Sequence, residues 1–307
     1  MRVLRTASEL SPAGRKVCLA IGFFDGVHLG HQQIIRQTVA DARQHNAVSV
    51  VVTFDQHANT IVAPQRAPDL IYPLSQKLRV IGSLGADALL LIHFDREFSQ
   101  QPGEAFVRGL ARELGQLQSL CVGSAFTFGH KRTGNVALLR TLGAELKFTV
   151  HGLAAVSLDG KIVSSTRIRE TIRAGELDAA TQMLGRSYSL IGPVVAGDQL
   201  GRQIGFPTAN LDVTGLVLPP HGVYAAHARF RGETQPAVVN LGLRPTLNNP
   251  VPQLRVEAHL LDFNGYLYGE EMELVFLEKL RDEQKFPSLA ALREQIARDV
   301  AAARERF

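Results

Sequence analysis

The chain has 307 residues, 45% of them hydrophobic, with a formal net charge of +4. That length holds one large or two ordinary domains with a packed core. So mild a basic balance, with no dense Lys/Arg tract, argues against nucleic acid as a partner and suits a polyanionic small molecule.

Two cysteines, Cys18 and Cys121, sit inside apolar runs and read as buried free thiols, not as a disulfide framework or zinc site. No apolar run reaches the roughly 18 residues of a membrane span, and the opening "MRVLRTASELSPAGR" lacks an apolar leader core. A cytoplasmic protein without a membrane partner is the expectation.

Four apolar runs, Val17–Phe23, Val48–Phe54, Ala88–Phe94 and Ser119–Phe126, predict strands buried on both faces. Between them Ile35, Val39 and Ala42, and then Phe106, Leu110 and Leu114, recur at helical spacing. Strand–helix alternation predicts a parallel sheet covered by helices, with right-handed crossovers. The stretch Asn59–Pro73, with three prolines, is expected to be irregular. "STRIRETIRAGELDAATQMLG" reads as helical and closes the first domain.

After about Arg186 the rhythm changes. "YSLIGPVVAG", "GVYAAHARF", "PAVVNLG", "QLRVEAHLLDF" and "EEMELVFLEKL" are strand candidates separated by Gly, Pro and Asn clusters. Consecutive strands without intervening helices imply an antiparallel barrel or sandwich. One amphipathic helix, roughly Ser288 to Arg306, ends the chain. Two domains follow, 1–186 and 187–307.

Several stretches carry chemistry. "AIGFFDGVHLGHQQII" spans Ala20–Ile35, where a strand hands over to a helix. Ligands of open α/β sheets bind at such strand ends. A helix starting near Gly30 aims free N–H groups at the crevice, and phosphate suits them. His28 and His31 would add donors, while Gly26 and Gly30 allow close backbone approach. The other readings are an incidental pair of histidines, or a zinc site that lacks a third ligand at suitable spacing. In "SSTRIR", hydroxyls and a planar guanidinium suit phosphate oxygens, unless the stretch is a helix cap followed by solvated arginines.

"GRQIGFPTAN" places Gly201 and Gly205 around Arg202, then Thr208 and Asn210. Thr208 and Asn210 offer the hard oxygens that magnesium takes, with ATP phosphates completing its shell. A turn with Asn in the left-handed region is the alternative. No GK[ST] follows the glycines, so this is not a Walker A loop. Glu257 lies in a strand whose alternation lets the carboxylate face either solvent or a barrel mouth. Phe286, in "LRDEQKF", suits ordinary core packing.

Taken together these motifs resemble one family. "GFFDGVHLGH" is similar to the HxGH signature of nucleotidylyltransferases. "CVGSAFTFGHKRTGN" and "IVSSTRIRETI" resemble further adenylyltransferase motifs. "GRQIGFPTANL" is similar to the PTAN signature of riboflavin kinases, and "VVNLGLRPT", "VEAHLLDF", "LYG" and "EKLRDEQKF" follow in the family's order. Over nearly its whole length the chain resembles the prokaryotic bifunctional riboflavin kinase/FAD synthetases.

The resemblance implies a Rossmann-like α/β nucleotidylyltransferase domain, then a six-stranded antiparallel β-barrel of riboflavin kinase type with a C-terminal helix. It implies phosphorylation of riboflavin to FMN by the second module and adenylylation of FMN to FAD by the first, with Mg2+ and ATP at both. Gly22, Phe24, Gly26, His28, Gly30, His31, Ser165, Thr166 and Arg169 would bind ATP phosphates for adenylyl transfer, His28 and His31 stabilising the charge. Gly201, Arg202, Gly205, Thr208 and Asn210 would bind ATP for the kinase, Thr208 and Asn210 holding the metal. Glu257 would be the kinase's general base, and Arg281, Phe286 and Asn240 would contact the flavin.

Three stretches depart from the family's pattern: Phe23 stands where Asn is common, Gln56 and Ala58 where prolines are usual, and Ala125 where Asp or Asn is common. A kinase with a weak or inactive first domain is therefore the alternative.

Overall fold

The computed structural model describes residues 1–10, 14–197, 199–246 and 249–307, with side chains described outside 243–254. The chain divides into two compact units, Met1–Leu70 with Leu74–Arg167, and Ile71–Pro73 with Ile168–Phe307.

The first unit is built on six strands: β1 (Arg2–Leu4), β2 (Val17–Ile21), β3 (Val48–Phe54), β4 (Ala88–Ile92), β5 (Leu117–Gly123) and β6 (Thr149–Leu153). They form one parallel sheet in the order β1-β4-β3-β2-β5-β6. The helices α1 (Leu29–Gln44), α2 (Leu74–Ser83), α3 (Gly103–Leu114) and α4 (Val136–Leu146) cover it.

Side chains alternate across a strand, so β2 feeds two cores. Leu19 and Ile21 pack with Val50, Leu90 and the Phe106–Leu110–Leu114 stripe of α3. Ala20 turns the other way, toward Val51, Leu89, Ile35 and Val39 of α1 and Ile81 of α2. Both faces are dry, hence the unbroken apolar runs. Each Val or Leu so buried contributes about 1.5–3 kcal/mol. Cys18 and Cys121 are free and fully buried, and burial pushes the Cys121 thiol up to about 12.

The two outer strands carried no sequence signal. β1 is three residues long, two of them exposed, and β6, TVHGL, has no fully buried residue. The region expected to be irregular begins with two short helical turns, Ala58–Val62 and Pro64–Arg66, separated by Ala63, and has no helix or strand element from 67 to 73. His57 starts the first turn, its ring Nδ1 accepting from the Asn59 N–H at 3.1 Å.

Helix α5 (Ser165–Ala174), whose first three residues belong to the first unit, and α6 (Leu177–Leu184) replace the single helical stretch expected. They part at Gly175, whose φ of +82° glycine alone adopts easily. Then come β7 (Ser189–Val195), β8 (Ala209–Leu211), β9 (Gly222–Phe230), β10 (Glu233–Thr246), β11 (Asn249–Leu260), β12 (Glu271–Arg281) and α7 (Leu289–Arg304).

The strands close an antiparallel barrel in the order β7-β8-β11-β10-β9-β12. Leu190, Tyr224, Ala226, Val239, Ala258 and Leu274 share the inner face and are nearly fully buried. On the outer face Val223, Ala225 and Val238 pack under Val300 and Ala303 of α7. Ser288 caps α7, its Oγ accepting from the Ala291 N–H. The sixth barrel strand is the three-residue β8, which lies inside "PTANL" and which no apolar run marks.

Candidate active sites

Sheet order reverses beside β2: β3, β4 and β1 lie to one side, β5 and β6 to the other. The crevice at the carboxyl ends of β2 and β5 is the ligand position of such a sheet, and the HxGH loop leaves β2 there. Phe24, Gly26 and Val27 all have positive φ, so the chain coils tightly before α1 begins. His28 is the N-cap of α1, with extended backbone. Gln32 pins the loop, its side-chain amide donating to the Val27 carbonyl at 2.9 Å while its backbone N–H donates to the His28 carbonyl.

The His28 and His31 rings stack with centroids 3.6 Å apart, and Phe24 meets His31 edge-on at 5.2 Å. Two glycines make this possible. A Cβ on Gly22 would stand 2.8 Å from the Phe24 ring, and one on Gly30 would stand 3.3 Å from the His28 ring. The first free N–H groups of α1 and both imidazoles thus share one helix mouth, an arrangement suited to phosphate oxygens.

Ser165, the first residue of α5, donates its hydroxyl to the Asp25 carbonyl at 3.0 Å. The capping role falls to Ser164, whose Oγ accepts from the Arg167 N–H. The Arg167 guanidinium donates to the Lys161 carbonyl at 2.9 Å. Thr166 follows in the first turn, and Arg169, one turn on, is buried.

The departing residues are built in. Phe23 packs edge-on against His57 with centroids 4.9 Å apart. Gln56 donates to the Phe94 carbonyl at 2.8 Å and accepts from the Thr60 hydroxyl, so hydrogen bonds brace a segment that prolines stiffen in the family's pattern. Beside it Asp55 and His93 pair at 2.6 Å. The pairing holds the Asp55 carboxyl below its ordinary value against the opposing effect of burial, and raises His93. Ala125 lies exposed in a turn. The sequence reading missed Lys77, a lysine of α2 only 4% exposed. Nothing in "LSQKLRVIGS" distinguishes it from a surface lysine.

In the second unit one row of residues runs round the outer face of the barrel. Asn210 on β8 pairs with Glu257 on β11, which pairs with Asn240 on β10. Asn240 pairs with Val223 on β9, and Val223 with Arg281 on β12. This row, with Thr208 and Phe286, lines a cavity of about 370 Å3 roofed by the segment Gln199–Phe206 and by Leu292 and Ile296 of α7. Glu257 therefore faces neither open solvent nor the barrel interior, but this covered pocket. Gly201 also lines it, whereas Arg202 and Gly205 are exposed and stand outside its lining.

Thr208 and Asn210 both line this pocket, and their hydroxyl and amide oxygens are hard donors of the kind a magnesium ion takes. Close packing demands glycine beside both: a Cβ on Gly201 would collide with the Phe206 carbonyl, and one on Gly197 with the side-chain amide of Asn210. Arg281 is held in place by Asp299 of α7, its Nε and Nη2 donating at 2.9 and 2.7 Å, and it lies 5.7 Å over the Phe286 ring. His259, also missed, lines the same pocket and reaches the Pro207 carbonyl at 2.8 Å, next to Thr208.

Both units match described families. The FAD synthetase model matches residues 11–167 and the riboflavin kinase model residues 184–307. The bifunctional riboflavin kinase/FMN adenylyltransferase of Escherichia coli K12 is 38% identical over 100% of this chain and 98% of its own. The chain belongs to the bifunctional riboflavin kinase/FMN adenylyltransferase family. Its relative in Haemophilus influenzae is 35% identical over 100% of this chain and 99% of its own. A crystal structure from Streptococcus pneumoniae, described as a macrolide-efflux protein, superposes with a TM-score of 0.83 at 27% identity and covers 98% of each chain. In the family's terms, the histidine pair belongs to the adenylyltransferase unit and the covered pocket to the kinase unit.

Proposed function

We propose that this chain makes FAD from riboflavin in two ATP-dependent steps, each carried by its own part of the sequence. Residues 187–307 phosphorylate riboflavin, giving FMN and ADP. Residues 1–186 join FMN to AMP from a second ATP, giving FAD and pyrophosphate. The observation that carries this reading is the row Asn210–Glu257–Asn240 inside one covered pocket, in a chain that also carries stacked histidines at a sheet's switch point.

In the kinase, Glu257 takes the proton of the riboflavin 5′-hydroxyl as that oxygen attacks the γ-phosphorus, and ADP leaves. A carboxylate under cover and within hydrogen-bond reach suits this task. Thr208 and Asn210 would hold the magnesium ion, which when bound draws charge from the ATP phosphates. Gly201 lets the protein backbone approach the ATP phosphates, and Arg202 and Gly205 of the same loop, both exposed, add to that grip. The flavin ring lies against Phe286, with Asn240 at its polar edge and Arg281 fixing the ring's stacking partner.

In the transferase, a phosphate oxygen of FMN attacks the α-phosphorus of ATP. Pyrophosphate leaves as the His28–His31 pair and the α1 N-terminus stabilise the charge that grows there. Gly22 and Phe24 shape that loop, Gly26 and Gly30 admit the phosphates, and Ser165, Thr166 and Arg169 hold the leaving pyrophosphate. Among the described residues no helix is long and apolar enough to cross a membrane. We place the enzyme in the cytoplasm, where its ATP and riboflavin are found.

Chromatography of products from riboflavin and Mg-ATP tests the whole reading. The wild type forms FMN and then FAD. His28→Ala forms FMN alone, its FAD formation falling about a hundredfold or more. Thr208→Ala forms no FMN but still makes FAD from supplied FMN. A wild type that stops at FMN would establish the kinase-only alternative.

A further inference from the structure

A lysine is almost never fully buried unless its charge is met, yet Lys77 is 4% exposed. It stands one turn before Ile81 on the core-facing side of α2, where a leucine would extend the apolar stripe. Packing alone therefore does not call for an ammonium there. Its Nζ donates to the Phe54 carbonyl at 2.7 Å and to the Phe23 carbonyl at 3.3 Å, and it lies 4.4 Å over the Phe23 ring. Phe54 is the last residue of β3, and Phe23 follows β2 by two residues. One cation thus ties together the starts of two loops, the one bearing His28 and the one bearing His57. Thr53 reinforces the knot, its hydroxyl donating to the same Phe23 carbonyl at 3.0 Å.

We propose that Lys77 is a positioning residue for adenylyl transfer: its ammonium clamps the carboxyl ends of β2 and β3 and so fixes the HxGH loop under the triphosphate. The inference rests on the adenylyltransferase reading of the first unit. Phe23, the residue that departs from the family's Asn, belongs to the clamp, because its ring supplies the face on which the cation rests.

The clamp is sensitive to pH. Burial pushes Lys77 down to about 8, against the attraction of Asp25 and Asp55. Around it stand those two carboxylates, His93 bound to Asp55, and His57 against the far side of Phe23. The ammonium loses its proton as pH rises through about 8. The cation–ring contact and the charge-assisted hydrogen bonds then weaken together.

FAD formation from FMN and ATP by the full chain, with riboflavin phosphorylation measured in the same samples, tests this. Lys77→Met is expected to lower kcat/KM for FAD formation about tenfold to a hundredfold, the scale of a slight misplacement of reacting groups, and to leave phosphorylation unchanged. The wild-type FAD rate is expected to fall along a limb centred near pH 8. Lys77→Arg, charged at every pH of the assay, retains activity and loses that limb. Lys77→Met at the wild-type rate, a flat wild-type profile, or an unmoved limb in Lys77→Arg would each overturn the inference. Should either variant fail to fold, the wild-type profile alone decides. A wild type that makes FMN but no FAD at any pH removes the adenylyltransferase reading instead.

Discussion

Glu257 shows how much one position depends on its neighbours. Along β11, Val256, Ala258 and Leu260 fill the barrel while Glu257 turns to the wall's outer side. On an open barrel that side would be wet and the carboxylate idle. Here the segment Gln199–Phe206 and α7 roof it, and Asn210 and Asn240 flank it in register. A carboxylate so placed is partly shielded from water and stands inside the pocket's lining. Glu257→Gln keeps shape and hydrogen bonding but cannot take the proton. Riboflavin phosphorylation is expected to fall about 100- to 10,000-fold, the range of general-base catalysis, with FAD formation from supplied FMN unchanged. A kinetic comparison of the two reactions in one preparation checks it.

At the scale of elements, α7 joins the kinase site through one buried ion pair. Arg281 at the end of β12 and Asp299 of α7 are 16% and 6% exposed, and Gln295 donates to the same carboxylate. Removing one partner strands a buried charge, which costs about 3–5 kcal/mol. Asp299→Ala is therefore expected to lower the unfolding midpoint of the barrel unit. It should also weaken riboflavin binding, because the helix that carries Leu292 and Ile296 over the pocket loses its anchor and Arg281 no longer holds Phe286. Thermal unfolding and flavin titration separate the two effects.

The same elements show what the sequence could and could not announce. Strands buried on both faces, such as β2 and β3, declare themselves as unbroken apolar runs, and so do the α1 and α3 stripes. The edge strands β1 and β6 are short and partly wet, so no period marks them. β8 is three residues long and reads as a motif, not as a strand. The residues proposed to carry chemistry could be named from sequence where they sit in motifs: His28, His31, Thr208, Asn210 and Glu257. Lys77, His259 and Asp299 were not, since a buried lysine, a strand histidine and a helix aspartate look in sequence like their exposed counterparts. Only tertiary placement distinguishes them.

For the molecule as a whole, the proposed function implies two reactions with no shared residue. Every residue lining the kinase pocket belongs to the second unit, while the stacked histidines belong to the first. On that proposal FMN is the product of one site and the substrate of the other, and each site holds its own triphosphate. Two chains with complementary defects should then cooperate through dissolved FMN. A mixture of His28→Ala, which phosphorylates riboflavin, and Thr208→Ala, which adenylylates FMN, is expected to form FAD from riboflavin after a lag while FMN accumulates. Raising the Thr208→Ala share should shorten that lag, because the second reaction then meets its substrate sooner. A wild type that forms FAD from riboflavin with no such lag would mean that FMN passes between the sites of one chain without release. Titration with a non-hydrolysable ATP analogue gives the independent check: two molecules bind per wild-type chain, and saturation at one would leave room for only one of the two reactions.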